Sequence, residues 1–121
     1  MSLRGIRGAT TVKANQAGEI LAATRELLET ILSANPGLQP SELSAAWFTL
    51  TSDLDAAYPA QAARELGWTQ VPMLCACEIP VPGSLPGCIR LLLQWNTDLP
   101  QSAIRHVYLR EAISLRPDLN G

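Results

Sequence analysis

The sequence predicts an α+β fold, with a mixed β-sheet of about five strands packed by two main helices on one side. Several short segments alternate apolar with polar residues and are rich in β-branched ones, as strands are. Two other segments lie between helix start and stop signals. Strands and helices follow one another without the strict alternation of parallel α/β folds, which favours α+β.

The first half of the chain is predicted to form a strand, a long helix and a second strand. Residues 3–12 (LRGIRGATTV) alternate in character and form the first strand, which glycine interrupts. A helix capped by Asn15 runs to about Ala34, where Asn-Pro-Gly stops it. Residues 45–52 (AAWFTLTS) form the next strand. The apolar stripe that predicts the helix consists of Ile20, Leu27, Leu28, Ile31 and Leu32.

The middle of the chain is predicted to form a second helix and an edge strand. The helix opens at Tyr58-Pro59, with proline at its first position, and Gly67 ends it. Residues 69–80 (TQVPMLCACEIP) read as a strand. Pro72 cannot donate a ladder hydrogen bond, so this strand lies at an edge or carries a bulge.

The last third of the chain is predicted to form two strands and a tail. Residues 88–95 (CIRLLLQW) are the most apolar strand, and both of its faces are expected to be covered. A final strand is predicted over residues 105–114 (RHVYLREAIS), followed by a flexible tail from about residue 115.

Length and composition favour one domain that associates with itself. The 121 residues suit a single domain, residues 1–121, and leave little room for a second. Charged residues make up 17% and hydrophobic residues 47%, so the surface is short of charge for a monomer. Association of copies would cover part of that apolar surface.

Composition also excludes several kinds of partner. The net charge of −2, with no basic run, argues against nucleic acid and against an anionic membrane. The sequence contains no membrane span and no signal peptide at its start. Three cysteines lack C-x-x-C spacing and His106 is the only histidine, so no metal site is expected. Reduced thiols fit a cytoplasmic protein.

The cationic residues favour recognition of carboxylates. Eight of the nine are arginine, and Lys13 is the only lysine. Arginine offers a rigid fork of donors that matches a carboxylate and stays charged at any relevant pH. A GC-rich genome would produce the same bias, and the composition alone leaves both explanations open.

Four residues are the first candidates for a site. Arg7 shares a strand face with Gly5 and Ala9, which leave space around it, although an exposed structural arginine fits equally. Arg90 lies among apolar neighbours, where a charge needs a partner or an anionic ligand. Glu78 is its candidate partner from a neighbouring strand, in a structural pair or a ligand site. Tyr108 either packs or binds a ligand.

Glycine next to Arg7 and the end of the chain suggest two further features. Gly8 is expected to let a ligand approach the backbone. Arg116-Pro117-Asp118 resembles a mobile lid that ligand would order. The chain shows no nucleophile–histidine–acid set, phosphate loop or dinucleotide fingerprint. An enzyme with these residues needs a reaction for which binding and electrostatics suffice.

The segments as a set resemble the monofunctional chorismate mutases of the trimeric, pseudo-α/β-barrel class. The resemblance begins at residues 4–11 (RGIRGATT) and ends at residues 115–118 (LRPD), so it covers nearly the whole chain. The intervening segments that carry it are 58–60 (YPA), 63–66 (AREL), 75–78 (CACE), 88–90 (CIR) and 104–109 (IRHVYL).

The resemblance implies a homotrimer with active sites between subunits and no cofactor. It implies conversion of chorismate to prephenate, the committed step towards phenylalanine and tyrosine. Arg90 then reaches the ether oxygen and a carboxylate, and Glu78 and Cys75 contact the ring hydroxyl. The residues implied to bind carboxylates are Arg7, Tyr108 and Arg116. Those implied to shape the pocket and its mouth are Tyr58, Ala60, Arg64, Met73 and Leu74.

One departure and two alternatives accompany the resemblance. Gln61 stands where some relatives carry a lysine at the pocket edge, which weakens a steering role for this position. A trimeric carboxylate binder without catalysis would use the same arginines. An enzyme of a similar trimeric fold, such as an imine deaminase, would also clamp a carboxylate with arginine. The joint presence of Glu78, Arg90, Tyr108 and Arg116 in family order favours the mutase.

Overall fold

The structure, a computed structural model, describes residues 2–115. Within that range no helix is both long and apolar enough to cross a membrane. The strands are β1 (Leu3–Thr11), β2 (Leu43–Leu50), β3 (Met73–Cys77), β4 (Cys88–Asn96) and β5 (Val107–Tyr108). The α-helices are α1 (Ala17–Ala34) and α2 (Ala60–Glu65), and short 3₁₀ helices span Pro40–Glu42, Gln101–Ala103 and Arg110–Leu115.

Helix α1 follows the predicted apolar stripe but not the predicted cap. Ile20, Leu27, Leu28 and Ile31 are fully buried, as their spacing predicts. The residue at the N-cap is Gln16, without a side-chain hydrogen bond. Asn15 instead accepts hydrogen bonds from the backbone of residues 55 and 56, so the expectation that it caps α1 is wrong. Asn15 fixes the loop after β2 against the start of the helix.

The five strands form one mixed sheet in the order β3-β2-β4-β1-β5. β4 lies at the centre, antiparallel to both β1 and β2, whereas β3 and β5 run parallel to their neighbours. Pro72 directly precedes β3, which is an edge strand, as the missing N–H predicts. The predicted mixed sheet with two main helices is therefore confirmed, with β3 shorter than expected.

Both helices pack on one face of this sheet. The main core contains α1 and α2 residues together with Ile6, Phe48 and Leu93 from three strands. On the opposite face, which we call the open face, Trp47 is 48%, Leu74 65% and Leu92 38% exposed. The expectation that both faces of β4 are covered is wrong for the single chain.

Gly8 belongs to the helix side of β1. A Cβ at this position would lie 2.9 Å from Cδ1 of Ile31 and 3.3 Å from Cδ1 of Leu27. The glycine therefore lets α1 approach β1 closely. The expectation that Gly8 makes space for a ligand is not supported by this geometry, because its missing side chain faces the core.

The predicted strand over residues 105–114 is mostly wrong. Only Val107–Tyr108 pair with β1, opposite Gly8 and Ala9. Arg110 has a φ of 55°, in the left-handed region, and the chain turns there into the 3₁₀ helix Arg110–Leu115. A residue with that φ cannot continue a strand. The turn places the 3₁₀ helix on the open face, where Ala112 packs with Ala9 and Tyr108.

Candidate active site

A row of residues crosses the open face through all five strands. In register, Tyr108 on β5 is opposite Ala9, Ala9 is opposite Arg90 and Arg90 is opposite Thr49. Thr49 in turn is opposite Ala76 on β3. Residues in register share a face, so the sheet brings Tyr108 and Arg90 to one side, with the small side chain of Ala9 between them.

Arg90 and Glu78 form the charged centre of this row. Nε of Arg90 lies 3.8 Å from Oε2 of Glu78, with the two side chains 36% and 25% exposed. That separation is an ion pair but too long for a hydrogen bond. Nε is itself buried and has no hydrogen-bond partner among residues 2–115. A buried guanidinium donor without a partner is costly, so the site is suited to an anionic or strongly accepting ligand.

Glu78 comes directly after β3, which is not the neighbour of β4, because β2 lies between them. Glu78 follows the last residue of β3, and its N–H donates to the carbonyl of Leu50 at 2.8 Å. The Thr49 hydroxyl donates to Oε2 of Glu78. The predicted Arg90–Glu78 pairing is thus present, but it spans β2, whose Thr49 hydrogen-bonds to Glu78.

Arg7 shares the open face, one step along the sheet from Arg90. It is opposite Leu92 on β4, two residues from the Ala9–Arg90 pair. Its backbone N–H donates to Nδ1 of His106 at 2.9 Å. An imidazole nitrogen that accepts a hydrogen bond carries no proton, so this contact requires that His106 be deprotonated at Nδ1. The contact connects β1 to the segment that leads into β5.

Asn35 fixes the same segment from the end of α1. This side chain is 3% exposed, accepts a hydrogen bond from the Arg105 N–H at 2.9 Å and donates to the Arg105 carbonyl at 3.0 Å. It also donates to the carbonyl of Ile31. The amide therefore pairs with the backbone of Arg105 as a neighbouring strand would, and fixes the approach to Tyr108.

Tyr108 is buried at 4% exposure, in contact with Ala9 and Ala112. After it, Arg110 donates to the carbonyl of Thr11 and pairs with Glu26 at 3.3 Å. These contacts fix the start of the 3₁₀ helix that ends at Leu115. Arg116, the remaining predicted carboxylate ligand, lies outside the described residues.

The other predicted site residues, apart from Leu74, lie on the helix side and around the β3 edge. Met73 and Cys75 pack against the helix-side core, and Ala60 is buried in it. Tyr58 is 70% exposed and Arg64 is also exposed. Tyr58, Gln61 and Cys75 line one cleft of about 700 Å³, whereas Glu78 lines a separate cleft of about 270 Å³. Within one chain, Tyr58, Gln61 and Cys75 therefore lie apart from the Arg90 row.

The Cys88 thiol next to the row is not set up as a nucleophile, and no metal-binding cluster lies among the described residues. Burial raises the pKa of the Cys88 thiol, and the Arg90 guanidinium opposes this only in part. A buried thiol that resists ionisation is a poor nucleophile. Among residues 2–115, no group of three or more His, Cys, Asp or Glu side chains could hold a metal ion.

Comparison with known proteins identifies the family. The family profile described as "Chorismate mutase type I" matches residues 3–119. Chorismate mutase AroH of Thermus thermophilus is 57% identical over 119 residues, covering 98% of each chain. Chorismate mutase AroH of Bacillus subtilis (strain 168) is 47% identical, covering 99% of this chain and 94% of its own.

The chain belongs to the type I chorismate mutase family. Its fold agrees. A solved chorismate mutase from Clostridium thermocellum superposes with a TM-score of 0.88 at 49% identity, covering 91% of this chain and 97% of its own. The predicted resemblance is thereby confirmed, and the chain is an isomerase.

Three residues that hold the candidate site together cannot be identified from the sequence pattern alone. Thr49 was treated as an ordinary strand residue, His106 as a lone histidine and Asn35 as part of a helix stop. The alternation of β2 does place Thr49 on the face away from Phe48, a signal that was available. The contacts of Asn35 and His106 span 70 and 99 residues, so no local pattern reveals them.

Proposed function

We propose that this chorismate mutase converts chorismate to prephenate by an intramolecular Claisen rearrangement that arginine side chains clamp and stabilise electrostatically. The product would then serve phenylalanine and tyrosine synthesis. The observation that carries the proposal is the Arg90 guanidinium, whose buried Nε has no hydrogen-bond partner in the described part of the chain although Glu78 lies 3.8 Å away. A fixed cation with an unused donor is the group that this reaction needs.

The reaction explains why a charged donor suffices. A C–O bond breaks as a C–C bond forms, so no proton is transferred and no covalent enzyme intermediate is required. The ether oxygen gains negative charge in the transition state. A preorganised donor directed at such an oxygen contributes about 3–4 kcal/mol. Interactions made equally in ground and transition states improve affinity alone, so Arg90 is assigned the main effect on rate.

The remaining residues are assigned to binding and orientation. Two carboxylates held by cations fix the enolpyruvyl arm over the ring, an effect of orientation. Glu78 and Cys75 are assigned to the ring hydroxyl. The residues assigned to carboxylates are Arg7, Tyr108 and Arg116. Those assigned to the walls and mouth of the pocket are Tyr58, Ala60, Arg64, Met73 and Leu74.

A homotrimer that closes into a pseudo-α/β-barrel is proposed as the active form. The Arg90 row lies on the open face, and Tyr58 and Arg64 lie by the β3 edge of the helix side, so one chain does not join them. The exposed Trp47, Leu74 and Leu92 on the open face provide an apolar surface for a second copy. A neighbour whose β3 edge covers this face would complete the site, and a cyclic arrangement would complete every site equally.

Mixing two inactive variants tests whether subunits share a site. Arg90→Ala removes the row's cation, and Tyr58→Ala combined with Arg64→Ala removes the wall. If each site draws these groups from different chains, denaturing and renaturing an equal mixture should restore activity to about one quarter of the sites. A mixture no more active than its components would refute the shared site. Light scattering of the wild-type chain should give a trimer mass.

The catalytic assignment is tested with Arg90 variants. Arg90→Ala should lower kcat several hundred-fold, as loss of about 3–4 kcal/mol requires. Arg90→Lys should also be poor, because a point charge lacks the planar fork. The measurement is the absorbance decrease as chorismate disappears, without added metal or cofactor. Near-normal turnover in Arg90→Ala would refute the assignment.

Three further properties complete the proposal. Residues 1–121 are assigned to one domain, with a flexible tail from about residue 115 that ligand orders. Equal hydrogen-exchange protection with and without ligand would contradict the tail's role. A cytoplasmic location fits the free thiols of Cys75, Cys77 and Cys88. Among the described residues of the open face, no contact favours the non-catalytic binder or the imine deaminase over the mutase.

A further inference from the structure

We propose that Thr49 is a positioning residue that holds the Arg90–Glu78 ion pair open for substrate. Its hydroxyl donates to Oε2 of Glu78, the oxygen that lies 3.8 Å from Nε of Arg90, and so anchors the carboxylate at that distance from the guanidinium. This inference rests on the proposed function, because it deepens the roles given there to Arg90 and Glu78.

Thr49 is placed for this role by the register of three strands. It lies on β2, opposite Arg90 on β4 and opposite Ala76 on β3. Glu78 follows β3 two residues after Ala76, with its N–H bonded to the carbonyl of Leu50. The Glu78 side chain therefore reaches across β2 towards β4, and Thr49 is the β2 residue beneath that path.

Thr49 and Arg90 both lie beside Oε2 of Glu78, and because a carboxylate oxygen can accept from two donors, the hydroxyl acts by fixing where the carboxylate sits. The Thr49 hydroxyl donates to Oε2, whereas Nε of Arg90 stays 3.8 Å from the same atom. Guanidinium–carboxylate hydrogen bonds form at about 2.7–2.9 Å, so closure requires a further movement of roughly 1 Å. Because the buried Nε has no partner among residues 2–115, that movement would satisfy it. The hydroxyl of Thr49 is bound to the carboxylate and so opposes the movement.

The consequence for the reaction is twofold. Arg90 keeps a donor for the ether oxygen because that donor is not hydrogen-bonded to Glu78. Glu78 keeps its second oxygen, Oε1, free to accept from the substrate's ring hydroxyl. Without the Thr49 hydroxyl, the carboxylate would turn towards Arg90. The effective positive charge of Arg90 would then fall, and the ring hydroxyl of the substrate would lose its acceptor.

The test compares Thr49→Val with Thr49→Ser. Valine keeps the shape and the strand preference of threonine but cannot donate, whereas serine restores the donor. Thr49→Val should lower kcat/KM at least tenfold, with kcat affected, because the lost hydrogen bond is to a charged group. Thr49→Ser should recover most of that loss. The matched control is Ser44→Ala at the other end of β2, whose exposed hydroxyl makes two long contacts, of 3.4 Å with the carbonyl and 3.5 Å with Oε1 of Gln94.

A double-mutant cycle with Glu78→Gln shows whether Thr49 acts through Glu78. The double variant should be no worse than Glu78→Gln alone, since the amide can still accept from Thr49 but carries no charge that would close onto Arg90. Urea midpoints and the oligomer mass of Thr49→Val should match those of Ser44→Ala, which separates positioning from folding.

The outcomes distinguish the inference from the proposed function. Near-normal kcat/KM in Thr49→Val beside an impaired Glu78→Gln would overturn the role of Thr49 alone. Additive losses in the double variant, or no rescue by serine, would overturn it as well. Normal activity in Glu78→Gln would refute the proposed role of Glu78 and this inference with it.

Discussion

Replacing Gly8 with alanine tests which side of β1 this glycine serves. The added Cβ would lie 2.9 Å from Cδ1 of Ile31, 3.2 Å from Cδ1 of Leu91 and 3.3 Å from Cδ1 of Leu27. Carbon atoms in contact prefer about 3.5–4.0 Å. All three neighbours are buried, so none moves without displacing others.

The expected magnitude follows from two opposing effects. Overpacking of a core by one methyl group costs about 1–3 kcal/mol. Alanine also restricts the unfolded chain, which returns about 0.4–1 kcal/mol. The three close atoms are methyl ends of flexible side chains, so the cost should lie in the middle of its range. Gly8→Ala should therefore lower the free energy of unfolding by about 1–2 kcal/mol.

Urea unfolding at a fixed protein concentration measures this change, since association would shift the midpoint. Gly5→Ala is the matched control on the same strand, because its Cβ would meet only Cδ1 of Leu92 at an ordinary 3.5 Å. Ile31→Val removes the methyl group nearest to the new Cβ. Ile31→Val alone should lower the free energy of unfolding by roughly 0.5–1.5 kcal/mol, and in the Gly8→Ala background it should lower it by less.

One result would refute this reasoning. If Gly8→Ala kept wild-type stability and raised KM for chorismate instead, the glycine would serve ligand approach, as the sequence alone suggested. Equal stability losses in Gly8→Ala and Gly5→Ala would also contradict the assignment of the two glycines to opposite faces.

Two further predictions concern buried polar and thiol groups. Asn35→Ala should cost about 1–3 kcal/mol in urea unfolding, because the N–H and carbonyl of Arg105 lose their partner; a loss below about 0.5 kcal/mol would contradict that clamp. Cys88 should resist a thiol reagent at pH 8 while exposed Cys77 reacts, since burial raises the pKa of Cys88 and shields it. Mass spectrometry of pulse-labelled protein checks this, and equal labelling rates at the two cysteines would count against it.

Local pattern predicted the elements whose periods are regular. Ile20, Leu27, Leu28 and Ile31 repeat at helical spacing, and α1 buries all four. The apolar run 88–95 became the central strand β4. The same run predicts Arg90 as a site residue, because a charge among apolar neighbours needs a partner. These inferences succeeded because a helix or strand repeats within a few residues, and that repeat is written in the sequence.

The order of the strands and the contacts between distant residues were decided only by the tertiary structure. Residues 105–114 have a strand-like composition, yet only two of them pair with β1. The backbone N–H of Arg105 donates to Asn35 instead, and the chain turns at Arg110, which has a positive φ. Thr49 lies between Glu78 and Arg90, and hydrogen-bonds to Glu78, only because β2 lies between β3 and β4. Periodicity fixes which face a residue occupies within its own strand, whereas long-range packing chooses the neighbouring strand, and the site depends on that choice.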